Sequence, residues 1–204
     1  MAEQVFPTKG NLINTKKSLE LARLGFELLD RKRNIIVREM KLLIDRAAEI
    51  QSSIDGCYAE AYLALQRANV AHGVCEDIAQ SVPVENGLSL SSRSVMGVEI
   101  PLVSLEAQPV ELSYGFMDTS ALVDEAYIKF DRVKKLTAEL AEVENSVYRL
   151  ATAVNKTQKR ANALKNIILP RLTSTVKYIT DSLEEKEREE FVRLKIIKRQ
   201  TGKD

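Results

Sequence analysis

His72 is the only histidine in the chain, and Cys57 and Cys75 are its only cysteines. These three residues are too few for a histidine-rich zinc set, and a Ser-His-Asp triad has only His72 to draw on. His72 also lies beside an alanine-rich apolar row, where a satisfied or solvent-facing imidazole is the ordinary outcome. Thr8-Lys9-Gly10 has the letters of a phosphate loop but not the G-x-x-x-x-G-K-[ST] order that wraps backbone amides around a phosphate. Glu184, Glu185, Glu187, Glu189 and Glu190 form a dense carboxylate run, yet Lys186 and Arg188 interrupt it. Pairs at i to i+4 along a solvated helix account for it better than a carboxylate site. No catalytic residue, cofactor site or metal site is expected, and a stand-alone enzyme is not the reading.

The apolar spacing is more informative. Leu19, Ala22, Phe26, Leu29, Arg33, Ile36, Met40, Leu43, Ala47, Ile50 and Ile54 follow one another in alternating steps of three and four, and ten of these eleven are apolar. Val133, Leu136, Leu140, Val143, Val147, Leu150, Val154, Thr157, Ala161, Leu164 and Ile168 repeat the pattern, again with ten of eleven apolar. A mean step of 3.5 lays a narrow stripe on a helix that supercoils to the left around a partner. Two such stripes in one chain predict an all-α fold: a long antiparallel two-helix coiled coil that goes out, turns and comes back. Such a rod bears load, spans distance or transmits motion.

The boundaries follow from punctuation. A first helix is expected to start between Thr8 and Asn11, with either residue as cap, and to end before Pro83. Its seam extends through Cys57, Ala61, Ala64, Ala68, Ala71, Cys75 and Ile78. On one continuous helix the two cysteines stand about 27 Å apart, too far to bridge, and are expected as reduced seam residues. Residues 81 to 120 hold Pro83, Pro101, Pro109, Gly87, Gly97 and Gly115. Their serines read as turns, and the run Val95 to Val103 reads as one or two strands of a short β-hairpin. Five acids (Glu85, Glu99, Glu106, Glu111, Asp118) stand against Arg93 there. This connector is either a solvated link or an acidic knob that docks. A second helix is expected from Thr119 or Ser120 to about Ile197. Pro170 lies inside it, where the apolar positions change step to Leu172, Val176, Ile179 and Leu183, so a stutter and a kink are expected. The expected organisation is a shaft helix over 1–80, a connector over 81–120, and a shaft helix with a basic tail over 121–204.

Composition agrees with a thin seam: 204 residues, no tryptophan, 5% aromatics and a net charge of +1. No apolar run approaches the roughly 20 residues that cross a membrane. The opening residues lack the basic stretch and apolar core of a signal peptide, so a cytoplasmic chain without direct membrane insertion is expected. Residues 1 to 46 carry ten Lys or Arg against six acids, and Arg193, Lys195, Lys198, Arg199 and Lys203 add to the other end. One end of the hairpin is therefore expected to be basic. No aromatic residues are interleaved as single-strand nucleic-acid binders require, so a carboxylate-lined protein socket fits equally well. A coiled-coil tether and a nucleic-acid-binding hairpin are the alternatives that these residues leave open.

Pro7-Thr8-Lys9, Lys16 to Arg23 and Gly25 to Arg33 resemble the opening of the D subunit of the V-type ATPases. Arg160 to Leu164, Ile168-Leu169-Pro170, Tyr178-Ile179, Leu183 to Glu189 and Arg193 to Lys195 resemble its closing helix. The likeness covers about residues 5 to 55 and 120 to 199, and does not favour the analogous F-type shaft. Asn34 and Lys165 depart from it, since acids are common at those two places. The resemblance implies the non-catalytic central rotor shaft of a rotary ATPase on the cytoplasmic side of a membrane. Its partners would be the catalytic (A) and regulatory (B) components of the ring, the small F subunit of the stalk and a funnel subunit that links it to the membrane rotor. On that reading Lys9, Lys16, Lys17, Arg23, Arg193, Lys195 and Lys198 are candidates for the ring-facing surface. Leu29, Ile36, Leu43, Val143, Leu150 and Leu164 hold the seam, and Pro170 marks the kink. Gly25 is expected where the two helices, or the ring around them, pack closely, and Arg33 is expected either to reach out of the seam or to fix its register.

Overall fold

Thr8 starts the first helix by capping it: its Oγ1 accepts a hydrogen bond from the Asn11 backbone N–H at 3.2 Å. The computed structural model describes residues 6–106, 114–115 and 119–201. Pro109, Glu111, Asp118 and Lys203 lie outside the described residues. Helix α1 runs Lys9–His72, followed by a short α2 (Glu76–Ser81), strands β1 (Leu88–Val95) and β2 (Val98–Leu105), α3 (Ala121–Ala163), a π-helical turn (Leu164–Ile168) and α4 (Leu169–Thr201). The all-α architecture with a β-hairpin is as expected. The chain divides into two compact units, one of Met1–Asn34 with Asn155–Asp204 and the other of Ile35–Val154.

In the second unit the helices run antiparallel, as ascending numbers on α1 meet descending ones on α3. Arg46 pairs with Glu139, the Tyr58 hydroxyl is 3.3 Å from that of Thr137, and His72 Nε2 is 2.5 Å from Ser120 Oγ. Ser120 caps α3 by accepting the Leu122 N–H at 3.4 Å. Ile36, Leu150 and Ile100 form a core cluster from α1, α3 and β2, with Met40, Leu43, Val95, Val98 and Val154 packed around it. Val143 and Val133 are also buried. The alanines of the extended α1 seam explain how the helices close up: Ala61, Ala64 and Ala68 are buried.

The hairpin is longer than the run Val95 to Val103 suggests. Leu88 pairs with Leu105 and Val95 with Val98, so the serines that read as turns form a strand. Met96 (φ 51°) and Gly97 (φ 75°) close it in the double left-handed turn that suits two-residue hairpins. α3 holds β2 along one side with three residues a helical turn apart. Glu142 accepts the Val103 N–H at 2.7 Å. Ser146 donates to Pro101 O at 3.5 Å and Arg149 to Glu99 O at 3.2 Å.

The first helix does not continue to Pro83. Gly73 takes φ +81° and ends α1, because only glycine enters that region without steric cost. Ala71 is exposed, and Cys75 stands beyond the break with its N–H on Asn69 Oδ1 at 3.3 Å. Both cysteines are free and half-buried rather than buried on one continuous helix.

Candidate docking surface

In the first unit, Lys9–Asn34 of α1 faces the π turn, α4 and the end of α3. None of the α1 seam positions Leu19, Ala22, Phe26, Leu29 and Arg33 is exposed. Arg33 reaches across the seam: its Nη1 donates to Gln158 Oε1 of the opposite helix at 2.7 Å, while Nη2 pairs with Asp30 at 2.7 Å. The two residues that depart from the family pattern have found partners too. Asn34 Oδ1 accepts from Arg33 at 3.0 Å, and the Lys165 ammonium sits 5.9 Å from the centre of the Phe26 ring.

Pro170 is the second residue of α4, directly after the π turn. Leu169 N–H reaches back to Leu164 O, five residues away. In an α-helix the proline ring would meet the Asn166 carbonyl, and the wider turn relieves that clash. The extra residue also shifts the seam. Ile168 is 40% exposed, so it does not continue the stripe as its spacing suggested. Leu169 takes its place, followed by Leu172, Val176, Ile179 and Leu183, none of them exposed.

The candidate cations fall into two groups. Lys9, Lys16 and Arg23 are spaced by seven and form one column on α1, with Lys17 beside it; all four are exposed. Lys9 pairs with Glu187 of α4 at 3.0 Å, with both side chains mostly solvated, a contact worth about 0–1 kcal/mol. That pair sets the level at which α1 begins. α4 runs on to Thr201, about 21 Å further at 1.5 Å per residue. Arg193, Lys195 and Lys198 lie on that extension, away from the α1 column. Arg193 has Glu189 3.7 Å away, and among the described residues Lys16, Lys17, Arg23, Lys195 and Lys198 make no ion pair. The carboxylates from Glu184 to Glu190 are exposed along the same helix. The hollow lined by Asp181, Glu184, Glu185, Arg188, Glu189, Val192 and Arg193 belongs to α4 alone and is an open groove.

Reading charges alone overlooked the apolar part of this extension. Every residue from Glu184 to Thr201 is exposed, including Phe191 at 68% and Leu194 at 65%. Val192, Ile196 and Ile197 are exposed as well. The signal was available, since the seam stops after Leu183 and the apolar residues that follow lie on more than one face. A second overlooked row is Leu21, Leu24 and Leu28, all exposed on α1; Leu21 and Leu28 are seven apart and offset from the seam. Large apolar side chains gathered in water mark surfaces that other proteins cover. Among the described residues no His, Cys, Asp and Glu cluster suited to a metal ion occurs, and no helix is long and apolar enough to cross a membrane.

Helices that pair within each unit and leave rows of large apolar side chains in water define a structural component built to be held by other chains. Residues 11–199 match the family model of the ATP synthase D subunit. The chain is 44% identical over 201 residues to the D subunit of the V-type ATP synthase of Thermotoga neapolitana, covering 98% of this chain and 99% of that one. It is 40% identical over 205 residues to the D subunit of the A-type ATP synthase of Thermococcus kodakarensis, covering 97% and 96%. With that of Pyrococcus furiosus the identity is 38% over 200 residues, covering 96% and 94%. The chain belongs to the family of ATP synthase D subunits, and is a non-catalytic stalk component of a rotary ATPase.

Proposed function

We propose that this chain is the central shaft of its rotary ATPase, with the first unit held inside the ring of catalytic (A) and regulatory (B) components. The supporting observation is the α4 extension, helical to Thr201 yet exposed on every side, with Phe191, Leu194 and Ile197 in water. A lone helix of that length gains little by itself, so its order is best repaid by a socket. The cations Lys9, Lys16, Lys17, Arg23, Arg193, Lys195 and Lys198 face carboxylates of that ring. The small F subunit binds the side of the helix pair, and a funnel subunit couples it to the membrane rotor on the cytoplasmic side.

The mechanism is a population shift. One asymmetric helix pair cannot contact three catalytic interfaces equivalently, so each interface is held in a different state of opening. ATP binding, hydrolysis and release change which shaft orientation has the most favourable contacts. Rotation imposed from the membrane runs the cycle toward synthesis, with proton or sodium transport coupled to it. Native mass spectrometry of a complex captured through this chain tests the assignment. One copy per six ring subunits, with a small side partner, is the expected result; a homo-oligomer, or nucleic acid without a ring, refutes it. In the same capture, Lys9→Ala, Lys16→Ala and Lys17→Ala combined should weaken ring recovery while leaving helicity unchanged. A parallel loss of helicity would make those lysines structural.

A further inference from the structure

Gly25 and the π turn stand opposite each other in the first unit: a methyl added at Gly25 would lie 3.9 Å from Leu164 Cδ1. That distance is ordinary van der Waals contact. Packing against the opposite helix therefore does not require the glycine. A glycine in a helix interior loosens it relative to alanine all the same. Across from it, five residues leave the α-helical pattern, and Pro170 follows with no N–H to restore the ladder. Both helices are thus locally weakened at one height.

The seam shows that the π turn is a single extra residue. The inward positions Ala161, Leu164, Leu169, Leu172, Val176, Ile179 and Leu183 step by three, five, three, four, three and four. Removing one residue from the turn restores the regular alternation of three and four without moving any other inward residue off the seam. The heptad on both sides is intact, so the irregularity is confined to this height. Lys165 closes over Phe26 there, a contact across the two weakened stretches that can adjust without losing a hydrogen-bonded partner.

We propose that the Gly25–Leu164 level is a joint of the helix pair, at which the first unit bends and twists while the turns above and below stay stiff. The joint belongs to the chain itself and does not depend on the assembly. Hydrogen exchange measured by mass spectrometry on the full-length chain tests it. The amides of residues 22–28 and 163–171 should exchange faster than their helical neighbours on each side. Gly25→Ala should slow residues 22–28 about fivefold, from a propensity difference near 0.9 kcal/mol, and should also slow residues 163–171. A second variant, deletion of Ile167 with Pro170→Ala, should slow residues 22–28 from the opposite helix. Exchange in the wild type as slow as in the flanks overturns the proposal. So does Gly25→Ala slowing α1 alone, since the two features would then be independent. If the deletion variant loses helicity, the Gly25→Ala result decides.

Discussion

Leu150→Ala isolates the contact that joins α1, α3 and the hairpin. Leu150 is fully buried and meets Ile36 and Ile100 in one cluster. Losing three buried carbons at about 0.8 kcal/mol each costs about 2.4 kcal/mol if the wall closes over the gap. A rigid wall would raise the loss toward 5 kcal/mol. Here the surrounding Met40, Leu43, Val95, Val98 and Val154 are only half-buried, so they can move in, and about 3 kcal/mol is expected. Urea unfolding of the full-length chain followed by circular dichroism measures it. Leu28→Ala, at a side chain 65% exposed, serves as control and should stay within about 0.5 kcal/mol of wild type. Ile100→Ala should approach the Leu150 loss if the hairpin belongs to the core. A Leu150→Ala loss within about 1 kcal/mol of the control would refute the three-element core.

Met96 occupies the left-handed region at φ 51° and is 44% exposed; Met96→Gly should raise stability by up to about 1 kcal/mol by removing that backbone cost, read as a higher melting temperature. Acid should loosen the link between the hairpin approach and α3. Lys134 bonds Glu85 and Asp131, at 2.7 and 2.9 Å. Glu85 is held below the usual carboxylate range by the Lys134 hydrogen bond and then by the Gly87 N–H. Burial alone would raise Asp131, but the hydrogen bonds from Lys135 and Lys134 outweigh it and leave it lowered. Lowered carboxylates stabilise fully above the unfolded pKa near 4 and lose that contribution as pH falls through their folded values. Urea midpoints from about pH 6 to about pH 2 should therefore fall less steeply in Lys134→Ala than in wild type; equal slopes would refute the assignment.

The two seams were legible because burial sets their period. All eleven α1 positions from Leu19 to Ile54 are buried or half-buried, and on the returning helix only Ile168 is exposed. What was missed has local causes. An isolated glycine is tolerated inside helices, so nothing short of its backbone angle distinguishes Gly73, which ends α1, from Gly56, which does not. Strand β1 reads Leu-Ser-Leu-Ser-Ser-Arg-Ser-Val: its apolar alternation stops at Leu90, since Ser92 and Ser94 follow on that face, while Arg93, on the other face, pairs with Glu39 of α1 at 3.0 Å. The stutter near Pro170 was visible. A step of five is foreign to both helix periods, and counting in fours selects Ile168 instead of Leu169. The candidate docking surface was half legible, because its candidate cations announce themselves by type whereas Phe191, Leu194 and Ile197 stand out only through their exposure.

Burial also differs between the two units. Among the described residues, Thr157, Ala161 and Ile179 are the ones buried in the first unit, while Leu21, Leu24, Leu28, Ile167, Tyr178, Phe191 and Leu194 stand at least half exposed. The second unit buries Ile36, Ile50, Ile54, Ile100, Val123, Val133, Val143 and Leu150. Hydrophobic stabilisation scales with apolar area removed from water, so the first unit should open more readily in the isolated chain. Docking in a ring would cover the exposed rows and add stability by linkage. Hydrogen exchange should therefore find residues 9–34 and 155–201 less protected than 35–72 and 121–154 in the free chain. The difference should shrink or reverse in the assembled complex. Equal protection in the free chain would mean that helix propensity, rather than burial, governs the first unit. An unchanged difference on assembly would place its exposed leucines, isoleucine and aromatics outside the ring contact, and the shaft reading would then have to rest on its cations alone.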